Sequence, residues 1–450
     1  MAWNDEGTPP IARRAVGPEP VAEAVPRRVT PRPPAWAIAI SAAVLGSAVV
    51  PARPLRDLVP GEPAVAAELA RPASYVVVAP VSNVLDTLTL LSLPQHVALA
   101  ATVVGLFSVW RVTRGRSARR HGVGVRRSGW RGEMRATLLA LGVLAAIYGA
   151  MAGAPRPMAA LRLNDDSLLA VDFHSHTNAS HDARPGFSVE ENRSWHQAAG
   201  YGAAYITDHH SFRGVDVALA TNPTMAGGAT MLLPALEAAY QDQHVIVLGS
   251  AHDAGTAPVR QWTQGRATSG EDAGLILTIP STIAHFAHPH SAPPARVLGI
   301  EISDGGPQGL AASDRKKATI IALADSLGAA LVTGSDNHGW GRTAAAWSVM
   351  TLPGWRRLSA TSLDARIRAT LETSGRRAVR PIGRTRAVGS DWPALVATAP
   401  AAAWMMLRTL SWPERLSWFA WSWTIVAIGH ALDSWRRRRP TRPSAGPHSV

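Results

Sequence analysis

The sequence predicts an α/β domain set between apolar segments that cross a membrane. Three observations carry this expectation. Short β-rich runs alternate with helical stretches between about 160 and 390, long runs almost free of charge lie on either side, and basic residues collect in the links. Of the 450 residues, 46% are hydrophobic and only 17% charged, with 45 Lys and Arg against 32 Asp and Glu. A net charge of +13 suits either a nucleic-acid binder or a membrane protein with arginine-rich cytoplasmic loops. The placement of the arginines decides between them. Nine fall between Arg111 and Arg135, bracketed by two apolar runs and accompanied by one acid, Glu133. That is the pattern of a helical hairpin with a cytoplasmic turn, and no nucleic-acid fold or interleaved aromatic pattern is visible. A lipid bilayer is the expected partner and nucleic acid is not. With no cysteine in the chain, any metal must be held by His, Asp or Glu.

Taken in order, residues 1–34 are rich in Pro and Arg without apolar periodicity and read as a disordered tail. Residues 35–155 read as three transmembrane helices with a basic loop at 111–135. The apolar runs are 35–50, 97–110 and 136–152, with an interfacial stretch near Leu88–Leu93. The first run begins too late for a signal peptide and is followed by others. Residues 160–390 form the α/β domain. Beyond it, 392–407 and 416–432 give one or two transmembrane or interfacial helices within 391–433, and 434–450 is a basic disordered tail. Charge puts both tails and the basic loop in the cytoplasm and the α/β domain outside a bacterial-type plasma membrane. This needs an odd number of crossings after residue 390, whereas two runs give an even number. Either one run is not a span, or the orientation is reversed.

Within the α/β domain the strand candidates are LLAVDFHSH, AAYITDHH, MLLPALEAAY, HVIVLGS, TIAHFAHPH, VLGIEISDG and AALVTGSDNH. VEENRSWHQAAG and DRKKATIIALADSLG are the helical candidates. Polar clusters end the apolar runs, as expected where function gathers at the carboxyl ends of parallel strands. Twelve of the 16 histidines lie from His174 to His338, about a third of the length. His174 and His176, two apart on a strand, point to one face, as a two-histidine metal grip requires. Asp208, His209 and His210 end the next strand, Glu237 the third, and His244 opens the fourth. His288 and His290 follow, then Asp336 and His338. Six such clusters in one domain point to bound metal.

The order HxH, TDH, E, H, HP and SDxH over residues 168–340 resembles the polymerase and histidinol phosphatase (PHP) family of metal-dependent phosphoesterases. The resemblance implies a distorted seven-stranded (β/α) barrel of TIM type, flanked here by transmembrane helices on both sides. It also implies two or three divalent metal ions, Mn, Zn or Fe, held by His174, His176, His209, Glu237, His244, His288, Asp336, His338 and one acidic position in the first loop. At that position this chain has Ser180-His181-Asp182-Ala183. Either His181 takes the aspartate's place, or a one-residue shift lets Asp182 serve.

The implied function is that of a membrane-anchored phosphoesterase, hydrolysing a phosphorylated small molecule or nucleotide with a metal-activated hydroxide. Glu237 would bridge two ions, and Asp336 would both ligate and assist proton transfer. His210 would join them in catalysis, while Arg342, His290 and Arg213 would meet the phosphate. Glu301 reads as a supporting residue rather than a ligand. The alternative is a non-catalytic metal-binding or sensory ectodomain coupled to the spans.

Overall fold

The computed structural model describes residues 33–120, 130–240, 243–249, 274–279, 296–389 and 391–438. Most of the two tails, the middle of the basic turn, and the run carrying His288 and His290 lie outside the described residues.

Twelve strands are described: β1 (Leu55–Asp57), β2 (Ala67–Ala70), β3 (Ala160–Leu163), β4 (Leu168–Ser175), β5 (Ala203–Ile206) and β6 (Met231–Tyr240), then β7 (Gln243–Leu248), β8 (Gly274–Leu277), β9 (Val297–Asp304), β10 (Ala330–Gly334), β11 (Ala346–Thr351) and β12 (Arg380–Arg384). Ten of them form one curled, mixed sheet in the order β1-β12-β11-β4-β5-β6-β7-β8-β9-β10, and β2 pairs with β3 apart from it. The far edge returns to β4. Asp336 N donates to His174 O at 2.9 Å, Thr333 N donates to Ser348 Oγ at 2.7 Å, and Ser175 bridges Asn337.

This corrects the seven-stranded parallel barrel. β4-β5-β6 and β8-β9-β10 are parallel, but β6-β7-β8 is an antiparallel meander. Only residues 241–242 separate β6 from β7. Two residues can make a hairpin but cannot carry the crossover that parallel pairing demands. β11 and β12 add to β4 antiparallel, so the sheet exceeds the strands expected from apolar runs.

Alternation along β4 feeds two layers. Leu169, Val171 and Phe173 pack with Tyr205, Met231 and Val332, whereas Ala170 packs with Trp195 and Trp347 on the other face. Burial of a side chain such as Phe173 stabilises the fold by roughly 1.5–3 kcal/mol. The strand therefore cannot slip by one residue without reversing its histidines. The helix Val189–Ala199 that follows is locally specified at both ends. Ser188 and Glu191 form a reciprocal capping box, and Gly200 closes it in the left-handed conformation. The helix predicted over 314–328 starts earlier, at Pro307, and ends at Leu327.

The flanking segments differ from the three-span reading. Residues 51–92 are not membrane sequence throughout, because β1 extends the large sheet through β12 and β2 pairs with β3. The basic loop contracts, since Leu93–Arg120 and Trp130–Gly153 are helices that run into it. These are the two helices among the described residues long and apolar enough to cross a membrane. Residues 392–407 do not form one rod but two helices, Trp392–Val396 and Thr398–Thr409. The twelve residues of the second reach about 18 Å, against roughly 30 Å of hydrocarbon. Trp412–Arg438 is a 27-residue helix packed against Ala35–Gly46, so 434–438 are helical rather than tail.

Candidate metal centre

Glu237 sits at the middle of the converging strand ends, 4% exposed. Its Oε2 lies 3.2 Å from His174 Nε2, 3.3 Å from His176 Nε2 and 3.2 Å from His209 Nδ1. Its Oε1 lies 2.8 Å from His244 Nδ1. β4 supplies His174 and ends just before His176, and β6 supplies Glu237. His244 lies on β7, while His209 bridges to Glu237 just beyond β5. Burial alone would raise the Glu237 carboxyl, but the imidazoles of His174, His244 and His176 overcome it and hold it well below the usual range.

The loop after β10 completes the wall. Asp336 Oδ1 stands 3.6 Å from His174 Nε2, 3.5 Å from His176 Nε2 and 3.4 Å from His338 Nδ1. The His338 ring stacks on His176 with centroids 4.0 Å apart. Asp336 and His210, at φ of 48° and 50°, are the non-glycine residues with positive φ among the described residues. Both belong to site loops, where such strain is retained because surrounding contacts enforce it.

In the first loop the two alternatives stand differently toward the cluster. Asp182 Oδ2 is 3.2 Å from His209 Nε2 and 3.2 Å from His338 Nε2, so its carboxylate joins two of the ligand candidates. His181 is exposed and meets the cluster through its ring, 5.3 Å from that of His209 between centroids. Of the other predicted residues, His210 is exposed next to His209, with its backbone N–H on Glu237 O. Arg213 is exposed at the first turn of the helix Arg213–Thr221. Arg342 gives its Nε to Arg156 O at 2.9 Å and serves the joint between sheet and helices. His288 and His290 lie outside the described residues.

The donors fit divalent ions. Three overlapping trios, His176–His209–His338, His174–His176–Glu237 and His209–Glu237–His244, each keep their ligand atoms within 4.8 Å of one another. His176 Nε2 is fully buried yet has no hydrogen-bond partner, although it faces two carboxylates. A buried imidazole nitrogen left unpaired among carboxylates is costly unless a cation shares the space.

Of the residues under the cluster, Asp172 is the one the sequence concealed, while Glu301 takes the supporting place expected of it. Asp172 Oδ2 pairs with His196 Nε2 at 2.7 Å, while its Oδ1 accepts from Ser335 N and His174 N. Asp208 accepts from Thr177 N, Thr177 Oγ1 and Ser180 Oγ, pinning the loop after His176. Glu301 Oε1 meets His174 Nδ1 at 2.9 Å and orients the ring. A Cβ on Gly334 would come within 2.3 Å of that same Glu301 oxygen, which is why glycine stands there. An acid inside an apolar strand was the available signal for Asp172 and Glu301.

No family model matches the chain, and no curated protein sequence matches it. Among solved structures it is similar to a two-domain protein from Bacteroides vulgatus containing a predicted PHP-like metal-dependent phosphoesterase, at 16% identity over 48% of this chain and 68% of that one, with a TM-score of 0.30. PsfC from Pseudomonas syringae is 15% identical over 52% of this chain and 98% of its own, with a TM-score of 0.30. An amidohydrolase from Chromobacterium violaceum with bound sulfate and no metal is 16% identical over 44% of this chain and 96% of that one, with a TM-score of 0.25. Overlap at this level is slight, and the metal centre stands on its own side chains.

Proposed function

We propose that the chain is a membrane-anchored, metal-dependent phosphoesterase of the PHP kind. The observation that carries this reading is the buried Glu237 carboxylate ringed by four imidazoles, one of them with an unpaired nitrogen. His174, His176, His209, Glu237, His244, Asp336 and His338 would hold the metal, with Asp182 as the acidic residue of the first loop and His288 as a further ligand. Divalent ions in such a site lower the pKa of bound water and neutralise phosphoryl oxygens. The chain's own groups do the rest. Glu301 and Asp172 hold β4 and the His174 ring in place. Asp336 takes a proton from the attacking water as the new phosphorus–oxygen bond forms. His210, exposed beside the centre, gives a proton to the leaving oxygen as the ester bond breaks.

Membrane anchoring rests on where the helix ends lie. Arg415 Nη1 meets Ser47 Oγ at 2.6 Å and Trp423 Nε1 meets Ser41 Oγ at 3.2 Å, so the first and last helices run antiparallel. Ser47, Gln95, Ala152 and Glu414 mark the four helix ends nearest the sheet. Gln95 bonds Ala387, Ala152 bonds Gly341, and Glu414 pairs with Arg71. The opposite ends, at Ala35, Arg120, Trp130 and Arg438, therefore share one face, and in the sequence they adjoin the two basic tails and the arginine-rich turn. The positive-inside rule makes that face cytoplasmic and puts the sheet outside. We count Trp412–Arg438 as the single crossing after residue 390, with Thr398–Thr409 at the interface, a reading that matches the odd number the charges require. Reporter fusions near Asp166 and at Val450 should read opposite sides, and a cytoplasmic signal at Asp166 would overturn the orientation.

The full chain in detergent should carry two or three divalent ions by elemental analysis and hydrolyse 4-nitrophenyl phosphate with Mn, Zn or Fe. His174→Ala should abolish turnover. Bound metal without turnover on phosphomonoesters, phosphodiesters and nucleotides would favour the non-catalytic ectodomain.

A further inference from the structure

The metal centre opens into a cleft of about 310 Å³, a volume typical of small-ligand sites. Its two walls have different origins. Asp182, Asp336 and His338 line it from the sheet side, while His96, Met151 and Ala152 line it from the helical hairpin. Those last three belong to the first turns of Leu93–Arg120 and the last turn of Trp130–Gly153, the two helices with membrane-crossing length and composition.

This juxtaposition is built rather than incidental. Gly341 N donates to Ala152 O at 2.7 Å, and Trp195 Nε1 donates to Gly341 O at 3.2 Å. Two residues on, Thr343 Oγ1 bonds Asp86 Oδ1 at 2.8 Å, and Asp86 also pairs with Arg156 just beyond the hairpin. The loop that carries Asp336 and His338 is thus fastened to the hairpin within a few residues of the ligands. At the hairpin wall, His96 Nδ1 lies 3.0 Å from Tyr148 OH, a polar pair near the sheet-side ends of the two apolar helices. Trp340, 53% exposed, lines the same cleft.

From this geometry we propose that the substrate is an amphiphilic phosphate ester that reaches the centre from the bilayer interface. Its phosphorylated head enters the cleft beside Asp182 and His338, while its hydrocarbon chain stays with Met151 and the hairpin. A soluble phosphoester must find the narrow space between sheet and membrane. On this proposal a lipid headgroup would reach it directly from the bilayer surface. The proposal rests on the phosphoesterase reading, and it names the substrate class for that same site. The reaction is ordinary hydrolysis, with water adding to phosphorus and the leaving oxygen taking a proton.

The test uses the full chain in mixed micelles with Mn²⁺ and two phosphodiesters that release the same chromophore, 4-nitrophenyl ethyl phosphate and 4-nitrophenyl hexadecyl phosphate. The long-chain ester should have a kcat/KM at least about tenfold higher, since burial of only two methylenes supplies that factor. Its rate should fall as inert detergent dilutes it in the micelle surface at constant bulk concentration. Met151→Arg should lower the long-chain to short-chain ratio by at least about fivefold, the effect of placing a charge on the chain's path. Equal kcat/KM for the two esters, with no surface dilution, would overturn the proposal while leaving the phosphoesterase standing. Absence of turnover on both esters and on 4-nitrophenyl phosphate would overturn the phosphoesterase reading, and the proposal with it. An independent readout needs no turnover. In the metal-free chain, a hexadecyl phosphate bearing a diazirine near its head should crosslink to the segments around Met151 and Trp340. Unlabelled hexadecyl phosphate should compete and ethyl phosphate should not. Equal competition by both would count against the proposal.

Discussion

Two buried carboxylates, Glu237 and Asp86, stand in clusters that look alike on paper and differ in chemistry. Glu237 is surrounded by imidazoles, and one of the facing nitrogens has no hydrogen-bond partner. Asp86 accepts from Tyr75 OH at 2.9 Å, Thr343 Oγ1 at 2.8 Å and Arg384 Nη1 at 2.7 Å, and it also pairs with Arg156. Arginine is a permanent cation that cannot ligate a metal, so the Asp86 cluster is a fixed ion-pair network and works as a joint. Histidine is a base that can release its proton and offer a lone pair, so the Glu237 cluster is compatible with divalent metal ions. The lesson is that the partner's chemistry, not the burial of the acid, separates a structural knot from a reactive site.

The sharpest way to break this comparison is to neutralise each acid in turn. Glu237→Gln should weaken metal uptake by more than about 100-fold, above the range for outer-shell partners, and turnover should vanish with it. Elemental analysis and a nitrophenyl phosphate assay read both. Wild-type metal content in that variant would remove Glu237 from the centre of the site. Asp86→Asn should instead cost about 3–5 kcal/mol of stability, because Arg156 and Arg384 lose a buried counter-charge. Its surviving folded fraction should keep its metal. Unchanged thermal melting would mean that the joint between helices and sheet lies elsewhere.

A smaller effect sharpens the ligand set. Asp182→Asn should lower metal affinity about 10–100-fold, whereas His181→Ala should change it less than about twofold. The reverse order would restore His181 as the ligand. The smallest effect is on pH dependence. Burial raises the Asp86 carboxyl, but Arg384 and Arg156 overcome this and hold it below the ordinary carboxylate range. A depressed folded-state pKa means that the stabilisation is present in full above the unfolded value, near about 3.9, and is lost as pH falls through the folded one. The melting temperature of the wild type should therefore drop more steeply below about pH 4 than that of Asp86→Asn. Parallel curves would show that the arginines do not depend on this carboxylate.

The sequence alone determined the local chemistry: apolar runs ending in His and Asp, a capping box at Ser188, and arginines collected between apolar helices. Those features follow from period, capping and charge, which act over a few residues. They made most of the ligand candidates and the apolar helical hairpin legible. What the sequence left open was long-range. That Asp182 reaches both His209 and His338, while His181 meets the His209 ring, depends on loops far apart in the chain. The hairpin β6-β7 broke the expected parallel order because its link was too short for a crossover. Asp172 showed its purpose, and Glu301 the ring it supports, only when β4, β9 and the helix bearing His196 came together around His174. Only the tertiary structure put the hairpin's end on the wall of the cleft, because residues 151 and 338 line one cavity from distant parts of the chain and no local pattern encodes that.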